Sequence, residues 1–103
     1  MPSDGVGAVR AATETGGQYI LVDDDAIIAA IAELGKVGVF AEPAGATAYA
    51  GLVEAISKGA VNADDPILVV NTGSGLKDVG AALKAVTKAP IISPTLEAVK
   101  ENL

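Results

Sequence analysis

Short continuous apolar runs alternate along the chain with longer stretches in which apolar residues recur at helical spacing. The runs at residues 19–22, 39–41 and 67–70 are flanked by glycines or turn residues, and each predicts a buried strand. A weaker run at 91–92 predicts a last short strand. Because predicted strands alternate with predicted helices, the expected fold class is α/β, with a parallel sheet in an αβα arrangement and right-handed crossovers.

Two longer helices are predicted between these runs. Asp23 is a favourable N-cap for the first helix, and glycines at 35 and 38 bracket its end. Pro43 suits the first position of the second helix, which ends near Gly59. The predicted apolar stripes are Ile27, Ile28, Ile31 and Leu34 in the first helix and Tyr49, Leu52, Val53 and Ile56 in the second.

Three shorter helices complete the prediction. One is expected at residues 7–13, within a Gly-, Ala- and Thr-rich stretch. Asp78 predicts the cap of another that runs to Lys88, and residues 93–95 predict the start of a terminal helix. With 103 residues, the whole chain (1–103) is expected to form a single domain.

Composition and charge narrow the range of functions. Cysteine and histidine are both absent, which excludes disulfides, thiol nucleophiles, Ser-His catalysis and His- or Cys-ligated metal sites. The formal net charge of -6 argues against a nucleic-acid partner. No signal peptide is evident, and no apolar run approaches the about 20 residues of a membrane helix. We therefore expect a soluble, cytoplasmic protein without a membrane or nucleic-acid partner.

The loop at residues 71–78, here called the glycine loop, is the strongest candidate for a binding site. It follows the clearest predicted strand, and ligands of open α/β sheets bind beyond the carboxyl ends of strands. Gly73 and Gly75 allow the backbone to approach a ligand, and Thr72 and Ser74 offer hydroxyl groups. The spacing matches neither a dinucleotide fingerprint nor a P-loop. A turn that needs conformational freedom explains the same residues equally well.

Other polar residues have simpler explanations. Glu42 stands where a strand is predicted to end and a helix to begin, so its carboxylate either faces a site or complements the helix N-terminus. The three aspartates at 23–25 lack the alternating oxygens of a calcium loop, and helix capping is the better explanation. Lys77 is a tempting nucleophile, but its neighbour Asp78 favours a surface charge pair. No catalytic residue and no metal ligand is predicted.

Taken together, these segments resemble the C-terminal region of threonine synthase, a fold type II pyridoxal-phosphate (PLP) enzyme. The resemblance covers about residues 4–83. The E-P-A-G-A motif at 42–46 is shared with serine/threonine dehydratases, whereas T-G-S-G-L-K-D at 72–78 is more specific to threonine synthase. Val79 departs from the family, which often has proline there. The matching segments are Thr15-Gly16-Gly17, residues 22–34, residues 38–46, Ala50-Gly51-Leu52 and residues 71–78.

The resemblance implies a fold, a reaction and a cofactor. The αβα fragment would belong to the large domain of the type II PLP fold, and the lyase would make threonine from O-phosphohomoserine with release of phosphate. Thr72 matches a threonine whose hydroxyl contacts the pyridine nitrogen of PLP, with Gly73 and Ser74 beside it. Glu42 and Ala44 match a segment that lines the cofactor's side of the cleft. A neutral hydroxyl at that nitrogen makes the ring a milder electron sink than an aspartate would.

Two motifs of the family are missing from the sequence, and their absence leaves three interpretations of its function. Neither the Schiff-base lysine motif nor the glycine-rich phosphate loop of the family is found, so we expect a domain-sized piece that is inactive alone and whose partner is the missing N-terminal portion. The alternative is a stand-alone binding or self-association module, a homo-oligomer, because unpaired strand edges favour association. A small phosphate-binding α/β domain is a third interpretation, which depends only on the glycine loop.

Overall fold

The computed structural model describes residues 4–103, and the regular structure in this part of the chain is helical. Helix α2 packs against both α3 and α4, and a single 3₁₀ turn leads into α4. The helices are α1 (Gly5–Thr15), α2 (Asp24–Lys36), α3 (Pro43–Ser57), α4 (Val79–Ala85) and α5 (Leu96–Glu101), and the 3₁₀ turn is Gly75–Lys77.

The helix starts follow the capping residues predicted from the sequence. The Asp23 carboxylate accepts a hydrogen bond from the Ala26 N–H at 2.7 Å, and Pro43 occupies the first turn of α3. Asp78 Oδ1 accepts from the N–H of Ala81 at 3.0 Å. The helix that Asp78 caps ends at Ala85, however, and not at Lys88 as predicted.

Thr95 caps α5 in the same way, since its Oγ1 accepts from the Ala98 N–H at 3.2 Å. The short first helix is also present, and it is two residues longer at each end than predicted. Each of these capping interactions lies within one helical turn, so it does not depend on how the rest of the chain folds.

The predicted parallel αβα sheet is wrong. None of the segments 19–22, 39–41, 67–70 and 91–92 forms a strand, and within residues 4–103 the β-type pairing is one isolated antiparallel bridge between Ala41 and Ser74. An apolar run specifies that a segment prefers burial, whereas a strand needs hydrogen bonds to a neighbouring strand. Residues 17–23 and 66–73 make no such ladder here.

The core is small and is built mainly from alanine. Ile31 is 4% exposed and Ala46 is 0% exposed, at the contact between α2 and α3. In α3 the buried face is the one with small residues, whereas Val53 and Ile56 of the predicted stripe remain exposed. Small side chains let the helix backbones approach closely, which buries little apolar area per residue. The buried apolar residues are Ala30, Ile31, Ala41, Ala46, Ala50, Ala55 and Ala81.

The shape is extended for a chain of this length. The radius of gyration is 18.0 Å, against about 13 Å for a compact domain of about 100 residues. Helices α1 and α5 bury no residue, and several large apolar side chains are open to solvent, among them Leu21 and Leu68. Among the helices of residues 4–103, none combines the length and hydropathy that crossing a membrane requires.

Candidate functional site

The glycine loop lies against the segment that leads into α3. The bridge between Ala41 and Ser74 places two backbone hydrogen bonds side by side: the N–H of Gly75 donates to the Phe40 carbonyl at 2.9 Å, and the N–H of Glu42 donates to the Gly73 carbonyl at 3.1 Å. The residues that the sequence singled out in two separate motifs are thereby brought together at the N-terminus of α3.

Glycine makes the close approach of these two segments possible. A Cβ atom at Gly45, in the first turn of α3, would overlap the Oδ1 atom of Asn71 and lie 3.2 Å from the Gly73 carbonyl oxygen. Gly45 is itself buried. The Asn71 side chain and the Gly73 backbone therefore occupy the space that any larger residue at position 45 would need.

The carboxylate of Glu42 does not cap α3. Glu42 stands at the N-cap position but makes no side-chain capping hydrogen bond, and its Oε1 lies 2.6 Å from the ammonium Nζ of Lys77. The predicted pairing of Lys77 with its neighbour Asp78 is therefore wrong, because Asp78 caps α4 and Lys77 reaches back across the loop. The Glu42 side chain is 15% exposed and that of Lys77 is 62% exposed.

The hydroxyl-bearing residues of the loop are open to solvent. Thr72 and Ser74 are both exposed, and Ser74 Oγ accepts a hydrogen bond from the Leu76 N–H at 3.3 Å while its own proton stays available to a ligand. Ala44 is exposed on the first turn of α3, whereas Gly73 is half-buried beneath Glu42. The loop thus presents hydroxyl groups to solvent, while its backbone is hydrogen-bonded to the segment that leads into α3.

Sequence reasoning missed two contributors to this site. Asn71 packs against Gly45, and the Phe40 ring occupies the space where Gly75 would carry a Cβ. In each case a glycine of one motif lies opposite a larger residue of the other motif. This correspondence can be recognised only once the two segments are known to be adjacent. Within residues 4–103, no group of three acidic side chains is arranged to hold a metal ion.

Comparison with known proteins defines the class. The family of pyridoxal-phosphate dependent enzymes matches residues 1–73, which include α1–α3 and the first part of the glycine loop. The chain belongs to this family. PLP is therefore the cofactor of the complete enzymes to which the chain is related.

The particular relatives are threonine synthases. That of Halalkalibacterium halodurans is 38% identical over 97 residues, covering 93% of this chain and 27% of the relative. That of Mycobacterium tuberculosis is 38% identical over 94 residues, with 90% and 25% covered. That of Methanocaldococcus jannaschii is 39% identical over 79 residues, with 76% and 20% covered. The chain thus spans about a quarter of the length of the curated relatives it matches.

The donor groups of the glycine loop fit one edge of PLP. A pyridine nitrogen accepts a single hydrogen bond, and the exposed hydroxyl of Thr72 or Ser74 can donate it. The nearby carboxylate of Glu42 is already paired with Lys77, so it does not compete for that position. The hydroxyl groups of the loop are therefore donors of the kind that a pyridine nitrogen accepts.

Proposed function

We propose that this chain supplies the ring-nitrogen side of the cofactor site in a threonine synthase-like lyase, which converts O-phosphohomoserine to threonine and phosphate. The observation that carries the proposal is the joining of the two family motifs at one place, through the hydrogen bonds between Glu42 and Gly73 and between Gly75 and Phe40. Residues 1–103 act in this proposal as one domain of a cytoplasmic enzyme.

Each proposed site residue has a distinct part. Thr72 donates its hydroxyl hydrogen bond to the pyridine nitrogen, and the absence of a charged partner keeps the ring a mild electron sink. Ser74 offers a second hydroxyl, and Gly73 brings the backbone close. Glu42 and Ala44 line the same side of the cleft at the start of α3. PLP, when bound, stabilises negative charge at the substrate carbon.

The remaining groups of the active site belong to the part of the enzyme that this chain does not match. We propose that the Schiff-base lysine and the phosphate-binding loop lie in that part, and that the chain by itself is inactive. The support is that Lys77, the lysine of the glycine loop, is ion-paired with Glu42 and 62% exposed, whereas a Schiff-base lysine is held desolvated near a carbonyl.

The direct test is a titration of the ¹⁵N-labelled chain with pyridoxine 5′-phosphate, followed by NMR. This ligand retains the pyridine ring but lacks the aldehyde, so adducts with lysine cannot form. Because one or two hydroxyl hydrogen bonds each contribute about 0.5–1.5 kcal/mol, we expect weak binding, with a Kd of about 6 mM or weaker. The amide shifts should be confined to Thr72, Gly73 and Ser74.

Two controls make this titration decisive. Thr72→Val should abolish the shifts at the loop, whereas Thr87→Val, at an exposed threonine outside the loop, should leave them unchanged. Inorganic phosphate should cause none of these shifts. Equal shifts with inorganic phosphate would favour a small phosphate-binding domain, and the absence of loop shifts at about 100 mM ligand would contradict the cofactor proposal.

A second candidate function is self-association, which the exposed apolar side chains favour. Leu21 is 91% exposed, Leu68 is 88% exposed and Ile91 is 99% exposed. Exposed apolar patches of several hundred Å² often mark interaction surfaces, and a stable dimer buries roughly 1,200–2,000 Å². We expect sedimentation at micromolar concentration to show a dimer or larger species, and a stable monomer would argue against this candidate.

A further inference from the structure

The ion pair between Glu42 and Lys77, here called the loop ion pair, differs from the other ion pairs in residues 4–103. Those pairs, Arg10–Glu14, Glu33–Lys36 and Glu54–Lys58, each join residues three or four apart on one helix. The loop ion pair instead joins the N-cap of α3 to the 3₁₀ turn before α4. It therefore constrains the path of the chain between two elements.

The loop ion pair lies directly against Gly73. A Cβ atom there would overlap Glu42 Oε1 and lie 2.8 Å from Lys77 Nζ. The pair thus covers one face of Gly73, directly between the two hydroxyl residues. The backbone N–H of Glu42 also donates a hydrogen bond to the Gly73 carbonyl oxygen, at 3.1 Å. Glu42 therefore contacts Gly73 through both its backbone and its side chain.

We propose that Glu42 and Lys77 are positioning residues, whose ion pair fixes the conformation in which the loop presents Thr72 and Ser74. In addition to lining the cleft, Glu42 then acts on the loop through its contacts with Lys77 and Gly73. The proposal deepens the function proposed above and rests on it, because it assigns the loop that binds the cofactor ring. The ammonium of Lys77 compensates the charge of the Glu42 carboxylate beside the proposed ring-binding hydroxyls.

The test measures hydrogen exchange at two amides of the unliganded chain, those of Glu42 and Gly75, which donate the hydrogen bonds between the two segments. Lys77→Met keeps the length of the side chain but removes its charge. We expect exchange at both amides to become about five-fold faster, equivalent to about 1 kcal/mol at 1.4 kcal/mol per tenfold. Lys77→Arg should restore the wild-type rates, because arginine keeps the ion pair.

A matched control is available on α3. Lys58 has the same exposure as Lys77, 62%, and pairs with Glu54 at 2.8 Å within the helix. Lys58→Met should therefore leave exchange at Glu42 and Gly75 unchanged. Gly73→Ala should also accelerate exchange at both amides, because the new methyl group displaces the side chains of the loop ion pair. The double variant Gly73→Ala/Lys77→Met should exchange little faster than Gly73→Ala, because both substitutions disrupt the same ion pair.

The outcome that overturns the proposal is unchanged exchange in Lys77→Met, or an equal acceleration in Lys58→Met. Because the exchange measurement contains no ligand, it is independent of the titration with pyridoxine 5′-phosphate. If the ligand shifts the loop amides but Lys77→Met does not alter exchange, the proposed function stands and the positioning role of the loop ion pair is refuted. The reverse result would overturn the proposed function instead.

Discussion

Replacing Gly45 by alanine sets helix propensity against the packing of the glycine loop. Within a helix, alanine is favoured over glycine by about 0.5–1 kcal/mol, so propensity alone predicts a more stable protein. The structure predicts the opposite, because the new methyl group would overlap Asn71 Oδ1 and press on the Gly73 carbonyl oxygen at 3.2 Å. Gly51 provides the matched control: it lies in the same helix, and a Cβ there has no neighbour within 4 Å.

The magnitude follows from adding the two effects. Overpacking costs typically 1–3 kcal/mol, and a cost near 1.5 kcal/mol is reasonable because the exposed Asn71 side chain is able to rotate away. The gain at position 45, close to the helix start, is about 0.5 kcal/mol. We therefore expect Gly45→Ala to lose about 1 kcal/mol of stability and Gly51→Ala to gain about 0.5–1 kcal/mol.

Urea denaturation followed by circular dichroism at 222 nm would measure both variants. The expected difference between them, about 1.5–2 kcal/mol, corresponds to several degrees in Tm for a chain of about 100 residues. Adding Asn71→Ala to Gly45→Ala should recover part of the loss, since the overlapping atom is then gone. If Gly45→Ala is as stabilising as Gly51→Ala, the glycine loop does not pack against α3 and the site described above is incorrect.

Two further predictions concern the core and the surface. Ala46→Leu should destabilise the chain by about 1–3 kcal/mol in the same urea assay, because residue 46 is 0% exposed between α2 and α3, whereas Ala48→Leu on the exposed side of α3 should change stability by less than about 0.5 kcal/mol. The double variant Leu21→Ser/Leu68→Ser should reduce the sedimentation coefficient at micromolar concentration without lowering helix content, and an unchanged coefficient would show that these leucines do not mediate association.

The relationship to threonine synthases was accessible from the sequence because short motifs carry it. T-G-S-G-L-K-D at residues 72–78 and E-P-A-G-A at 42–46 are specific enough in order and spacing to indicate the family. The match of the pyridoxal-phosphate dependent family to residues 1–73 and the similarity to threonine synthases over most of the chain confirm it. The roles of Thr72, Ser74 and Ala44 toward a cofactor remain predictions, since hydroxyl or methyl groups at a loop do not by themselves identify what they contact.

The sequence by itself determined where the helices begin. Asp23, Asp78 and Thr95 each satisfy an N–H group three residues further along, and Pro43 fits a helix start. Such signals are complete within one turn, so they need no knowledge of the rest of the fold. Helix ends were less well determined: α4 ends at Ala85, short of the predicted Lys88.

Only the tertiary structure decided which segments pair and which faces are buried. The apolar run at 67–70 does not form a strand, because strand formation depends on a hydrogen-bonding neighbour that residue type does not specify. In α3 the small residues are buried while Val53 and Ile56 of the predicted stripe stay exposed, since burial depends on what packs against the helix. Lys77 pairs with Glu42 and not with adjacent Asp78 for the same reason: the bridge between Ala41 and Ser74 places Lys77 within reach of Glu42, while Asp78 caps α4.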